Sequence, residues 1–392
     1  MIVKKGNIWY MGPALTQLGL VFSLLFTSCT PATSTPTRLP TSSATDTPSA
    51  TFTPETAEEP NFPAAEIDDL LNKQVEQAPL AGIALGVQYK GVLYEQVYGL
   101  ADVAHQEPVT TQTLFQIASL TKAVTAAAIL QLNEEGQLRL DDPIARFFPG
   151  MPNIAKAIQV RHLLNHTSGL PDVSIDAAQE ALPETFTTAQ AVEYYFSTFE
   201  SLDSEPGYIW SYSNVGYFLL GAIIETVTGM PYHEYFKTKF FEPLALSSMG
   251  ECPAQSDLLA VGHHAVNGEL EVANPSNLKL AGAAGALCSN IVDLLRWQVV
   301  LTHDYPKLWE QMITPETTLE GRLLDYGYGV SVQTGDQGSM MMHEGATAGF
   351  NSLFIYYPEH DLNIVLLTNT DRFESHLRAF AYLIASRVLR SS

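Results

Sequence analysis

Basic residues are scarce: 20 Lys and Arg stand against 42 Asp and Glu in 392 residues, a formal net charge of −22. Neutralising phosphates needs a surplus of Lys and Arg, so the balance argues against nucleic-acid binding. It argues against electrostatic adhesion to anionic lipid for the same reason. Cysteine is scarcer still, at three, with no Cys-x-x-Cys. The chain also lacks a Gly-x-Ser-x-Gly elbow, a Walker or dinucleotide loop, a His-Glu-x-x-His frame and any internal repeat. No cofactor or metal is therefore expected. What the chain does have is apolar residues, at 46%, enough to bury a sizeable core as one large domain or two intimate subdomains.

Ser119-Leu120-Thr121-Lys122 runs directly into the apolar stretch Ala123–Leu130. At the start of a helix this spacing places a hydroxyl and an amine on one face. A Ser hydroxyl needs a neighbouring base to become a nucleophile. An exposed amine, with a pKa near ~10.4, is protonated and useless as that base, but burial lowers the value by several units. The apolar stretch supplies that burial. By itself the pattern equally describes a Ser N-cap beside a solvated Lys.

Two further segments carry suitable chemistry. Tyr212-Ser213-Asn214 follows a polar loop and precedes a helical apolar stretch. A phenol beside a cationic amine can shift towards phenolate and relay protons, and Asn214 offers a donor and an acceptor for a substrate amide. His343-Glu344-Gly345 precedes the strand-like run Leu353–Tyr357, and Gly345 would let a substrate approach the backbone closely.

In this order the three segments resemble the serine β-lactamase and penicillin-binding-protein superfamily, in its class C β-lactamase, DD-peptidase and esterase branch. The steps of 93 residues from Ser119 to Tyr212 and 131 more to His343 match that branch. Flanking stretches extend the likeness, among them Leu163-Leu164-Asn165-His166-Thr167-Ser168-Gly169-Leu170-Pro171, and it covers roughly residues 64–390. The resemblance implies Ser119 as acyl-forming nucleophile, Lys122 as its base and Tyr212 as proton shuttle. It implies Asn214 as holder of the acyl amide, and the backbone N–H groups of Ser119 and Ala346 as the oxyanion hole.

Most class C β-lactamases have Lys where this chain has His343, and a largely neutral His is a weaker anchor for a substrate carboxylate. The implied activity is therefore D-alanyl-D-alanine carboxypeptidase-like or esterase-like. A class C-type β-lactamase is the alternative within the enzymes. An inactive or slowly acylated cell-envelope binding or sensor protein is the alternative outside them.

The amino terminus reads as a lipoprotein-type signal, residues 1–28. It has Lys4 and Lys5, an apolar run over 14–26 too short to span comfortably, and Thr27-Ser28-Cys29, which resembles the end of a lipobox. Cys29 would then be the lipidated first residue. Residues 29–63 read as a disordered tether, since Thr, Ser and Pro make up 21 of the 34 residues from 30 to 63. At about 3.1 Å per residue it reaches on the order of 100 Å. The expected location is the extracytoplasmic face of a bacterial membrane, lipid-anchored, or else secreted. The expected partners are that membrane and a small-molecule or peptidoglycan-type peptide substrate.

The hydrolase domain is expected over 64–392. It begins with a helix at 64–78 and a hairpin whose strands join at Lys90-Gly91. Its middle, about 110–320, is mainly helical. Strands follow at 326–332, 350–357 and 362–367, then a closing helix at about 372–389. Strands from both ends flanking a helical insert predict an α+β fold, an antiparallel sheet with helices on its faces and the site in the cleft between. Cys252 and Cys288 are left as a possible disulfide, which the sequence leaves open. His162 and His166 have a spacing that could clasp a metal on a helix, but the Thr-Ser-Gly that follows reads as a helix end and favours structural roles.

Overall fold

Lys90 and Gly91, both at positive φ (46° and 85°), close a two-residue turn between β1 (Gly82–Tyr89) and β2 (Val92–Asp102). Such a turn matches the twist of the strands it joins. The computed structural model describes residues 62–390, apart from 174, 184, 254, 276, 336 and 373. Cys29, the expected signal and nearly all of the expected tether lie outside the described residues.

In chain order the remaining strands are β3 (Glu107–Pro108), β4 (Phe115–Gln116), β5 (Gly250–Glu251), β6 (His263–Val266), β7 (Glu269–Val272), β8 (Leu287–Ser289), β9 (Ser331–Gly335), β10 (Gly338–Thr347), β11 (Phe350–Tyr357), β12 (Leu362–Thr368) and β13 (Thr370–Asp371). Seven form one antiparallel sheet in the order β3-β2-β1-β12-β11-β10-β9. Strands from the two ends of the chain thus meet at β1 and β12, and the α+β expectation holds.

Period-two alternation gives the sheet two buried faces. Ile83, Leu85 and Val87 join Ile355, Ile364 and Leu366 beneath the helices Ala64–Gln77 and Glu374–Arg390, where Leu71, Leu377 and Ile384 close the layer. Ala84, Phe354, Val365 and Leu367 face the other way, onto the helix Ile291–His303 and the helical region. The helix Thr121–Glu134 lies inside that region, with every residue from Thr121 to Leu130 buried. A helix apolar nearly all round is a core helix.

Several details differ from the sequence reading. The strand expected from Tyr326 begins only at Ser331, because Gly327 N–H bonds Val330 O and Tyr328 N–H bonds Met312 O, closing a turn there. The helix under His162 ends at Leu164, leaving His166 beyond it at φ 62°. Two three-stranded sheets, β4-β8-β5 and β13-β6-β7, lie in or beside the helical middle, and their strands are too short for periodicity to reveal. Cys252 and Cys288 form a disulfide, with Cα atoms 4.8 Å apart.

Candidate active site

Ser119 sits in a 3₁₀ turn, Ala118–Leu120, that leads into the helix Thr121–Glu134. Ala118 is held at φ 47°. The turn is pinned from both sides: Ile117 N–H bonds Leu287 O of β8 at 3.0 Å, and the Ser352 hydroxyl of β11 bonds Ile117 O at 2.7 Å.

One turn on, Lys122 is fully buried. Its Nζ lies 3.1 Å from Ser119 Oγ, 2.8 Å from Asn214 Oδ1 and 2.8 Å from Ala284 O. Burial lowers its pKa to about 7, against an opposing pull from the Asp172 carboxylate. Two of the three partners, a carbonyl and an amide oxygen, can only accept hydrogen bonds. When the amine is neutral these two acceptors take both of its N–H groups, which leaves its lone pair for the Ser119 hydroxyl. That is the geometry a general base requires.

Tyr212 OH donates to Ser119 Oγ at 2.9 Å. The phenolate shift envisaged from the sequence does not occur, since burial raises the Tyr212 pKa and outweighs the Ser119 hydrogen bond. The phenol is a proton donor here. Asn214 opens the helix Asn214–Thr228, which Ser213 caps by accepting from Gly216 N–H. Asp172 accepts from the N–H groups of Asn214 and Val215 at the same helix end, a favourable place for a carboxylate.

The fourth side is β10. β9 pairs with it only as far as Met342, so the β9 ladder stops before His343. Beyond that point β10 faces the Ser119 turn: a Cβ added at Gly345 would meet Ile117 O at 2.5 Å and Ser119 N at 3.1 Å. β10 and β11 are joined by two residues, so Thr347 and Phe350 form the hydrogen-bonded closing pair. Alternation then turns the Ala346 N–H away from β11, and Ala346 is exposed.

His343 is buried, accepts from Tyr326 OH at 2.9 Å through Nε2 and donates to Glu344 O at 2.7 Å through Nδ1. Burial, reinforced by the nearby Lys122 charge, lowers its pKa to about 3. Glu344 is neutralised by a two-point ion pair with Arg378 of the closing helix.

Three residues here escaped the sequence reading as members of a site. The Asp172 carboxylate favours the charged form of Lys122, Tyr326 orients His343, and the His166 ring packs on Tyr212 at 4.4 Å and Tyr326 at 4.8 Å. His166 Nδ1 accepts from Ser213 N–H, which ties it to the Tyr212 segment rather than to a metal. No spacing rule links these residues to Ser119.

A serine hydroxyl held by a buried amine and a phenol, on this fold, defines a serine hydrolase working by acyl transfer to water. The chain belongs to the β-lactamase family, whose model matches residues 67–388. It is 30% identical over 321 residues to a penicillin-binding protein of Bacillus subtilis (strain 168), covering 76% of this chain and 69% of that protein. Its fold superposes on the octameric penicillin-binding protein homologue from Pyrococcus abyssi with a TM-score of 0.71 at 25% identity, over 82% of this chain and 77% of the other. It superposes on the D-amino acid amidase from Ochrobactrum anthropi SV3, complexed with L-phenylalanine amide, with a TM-score of 0.69 at 26% identity, over 83% and 97%.

Proposed function

We propose that the protein hydrolyses an ester or amide bond, including peptide bonds of the D-alanyl-D-alanine type, through an acyl-enzyme on Ser119. The position of Lys122 Nζ, within hydrogen-bond reach of Ser119 Oγ and held by Asn214 Oδ1 and Ala284 O, is the observation that carries this reading. Lys122 takes the hydroxyl proton as Ser119 attacks the carbonyl carbon. Negative charge collects on the carbonyl oxygen between the N–H groups of Ser119 and Ala346. Losing one such donor typically costs about 10²–10³ in rate. Tyr212 delivers its proton to the leaving group and regains one from the water that releases the acyl group. Asn214 holds the acyl amide. The likeness to an amidase of D-amino acids supports the substrate class.

Penicillin turnover is the second reading within the family. The neutral His343 weighs against it, because it offers no charge to a substrate carboxylate. Hydrolysis of a p-nitrophenyl ester or a D-alanyl peptide, abolished in Ser119→Ala, tests the main reading. Intact mass after penicillin treatment sorts the rest: a long-lived adduct marks a DD-peptidase, and rapid return to unmodified mass marks a β-lactamase. Neither turnover nor adduct would leave a binding or sensor protein.

Residues 1–28 are proposed as a signal and Cys29 as a lipid anchor, holding the domain outside the cell membrane on residues 29–63. Labelling with a radioactive fatty acid, lost in Cys29→Ala, tests that placement.

A further inference from the structure

A cavity of about 400 Å³ opens beside the site, lined by Trp210, Tyr212, Leu324, Tyr326, His343 and Met342 among others. Tyr212 and His343 border it, whereas Lys122 and Asn214 do not. Tyr212 protonates the departing group and Asn214 holds the acyl side, so on the reading above this cavity receives the leaving group.

Its chemistry is uneven. The four charged side chains in its lining balance in sign, Arg322 and Arg378 against Asp325 and Glu344. Glu344 and Arg378 are spent on each other, and the lining carries no net charge. An apolar surface adjoins it, since Trp210 and Leu324 of its lining are the chain neighbours of Ile209 and Leu323. Tyr208, Ile209, Trp210, Leu319 and Leu323 make up five of the eleven large apolar side chains exposed among the described residues. They come from two short segments held together by the Leu319 N–H bond to Gly207 O at 2.9 Å. Scattered exposed apolar residues need no explanation, but a cluster on segments that also line a cavity marks a binding surface.

We propose that this rim binds a neutral, apolar leaving group, so that the preferred substrates are esters or amides of hydrophobic alcohols or amines rather than peptides ending in a free carboxylate. The proposal rests on Ser119 as nucleophile.

N-acetyl-D-alanine methyl, butyl and hexyl esters test it, since their alkanol leaving groups have nearly the same acidity. Each added CH₂ contributes roughly 0.8 kcal/mol when fully buried, about fourfold, so even partial burial raises kcat/KM about tenfold or more from methyl to hexyl. In the double variant Ile209→Ser, Leu319→Ser that ratio falls to less than about threefold. Both side chains are more than half exposed, at 55% and 69%, so the variant folds; Leu258→Ser, 52% exposed elsewhere, keeps the wild-type ratio. A flat wild-type series, or a slope surviving in the double variant, overturns the rim. So does a preference above about tenfold for N-acetyl-D-alanyl-D-alanine over its C-terminal amide, a gap on the scale of one well-made ionic contact. Ester hydrolysis that persists in Ser119→Ala strikes the nucleophile assignment, and absence of all hydrolysis strikes both.

Discussion

The Lys122 amine lies 3.1 Å from the Ser119 hydroxyl oxygen while being wholly withdrawn from water. Both features matter: proximity without burial leaves an ammonium, and burial without proximity leaves a base with nothing to deprotonate.

Lys122→Ala is expected to lower kcat/KM by about 10²–10⁴, the usual worth of a general base. The fold survives, because the apolar helix around it stays packed. Ester hydrolysis and circular dichroism of the same preparation check this. Near-wild-type turnover would remove Lys122 from the mechanism.

The pH profile follows from the same amine. Its working form is neutral and its pKa is lowered to about 7, so kcat/KM rises with pH through about 7 and then levels. The Asp172 carboxylate favours the ammonium, so Asp172→Asn moves this limb to lower pH. His343, already neutral above about pH 3, adds no limb near neutrality. A profile falling with increasing pH near neutrality contradicts the assignment.

Gly345→Ala places a methyl 2.5 Å from Ile117 O and 2.2 Å from Ser352 Oγ. Neither the pinned turn nor the paired strand can yield cheaply, so β10 is forced off Ser119. Activity is expected to drop about 10²-fold or more, as for loss of an oxyanion donor. Stability is expected to fall by about 1–3 kcal/mol, as for overpacking. Denaturant melts alongside kinetics would expose a harmless substitution.

The Cys252–Cys288 bridge closes a separation of 36 residues, worth about 4 kcal/mol in a chain-entropy treatment. Cys288 also pairs with Gln116 of β4, three residues before Ser119. Reduction should therefore lower the unfolding midpoint by several degrees and reduce activity together. Thermal melts and assays with and without dithiothreitol decide it; an unchanged midpoint would deny the bridge a stabilising role.

Much was legible in the residues themselves. The Lys90-Gly91 turn, the outer helices, β11 and β12 announce themselves because turn chemistry and apolar period act over a few neighbours. Ser119, Lys122, Tyr212 and His343 could be picked out because their order and spacing match a family pattern. The environment that gives those side chains their chemistry could not. Whether Tyr212 is phenol or phenolate, and whether His343 ever carries charge, depends on how completely water is excluded by segments up to some two hundred residues away. Asp172, His166 and Tyr326 acquire meaning only when helix ends, a loop and β10 converge around one hydroxyl. Local sequence determined the elements and the reactive groups; packing between distant segments decided their protonation, because desolvation is a property of the assembled interior and of no single stretch of chain.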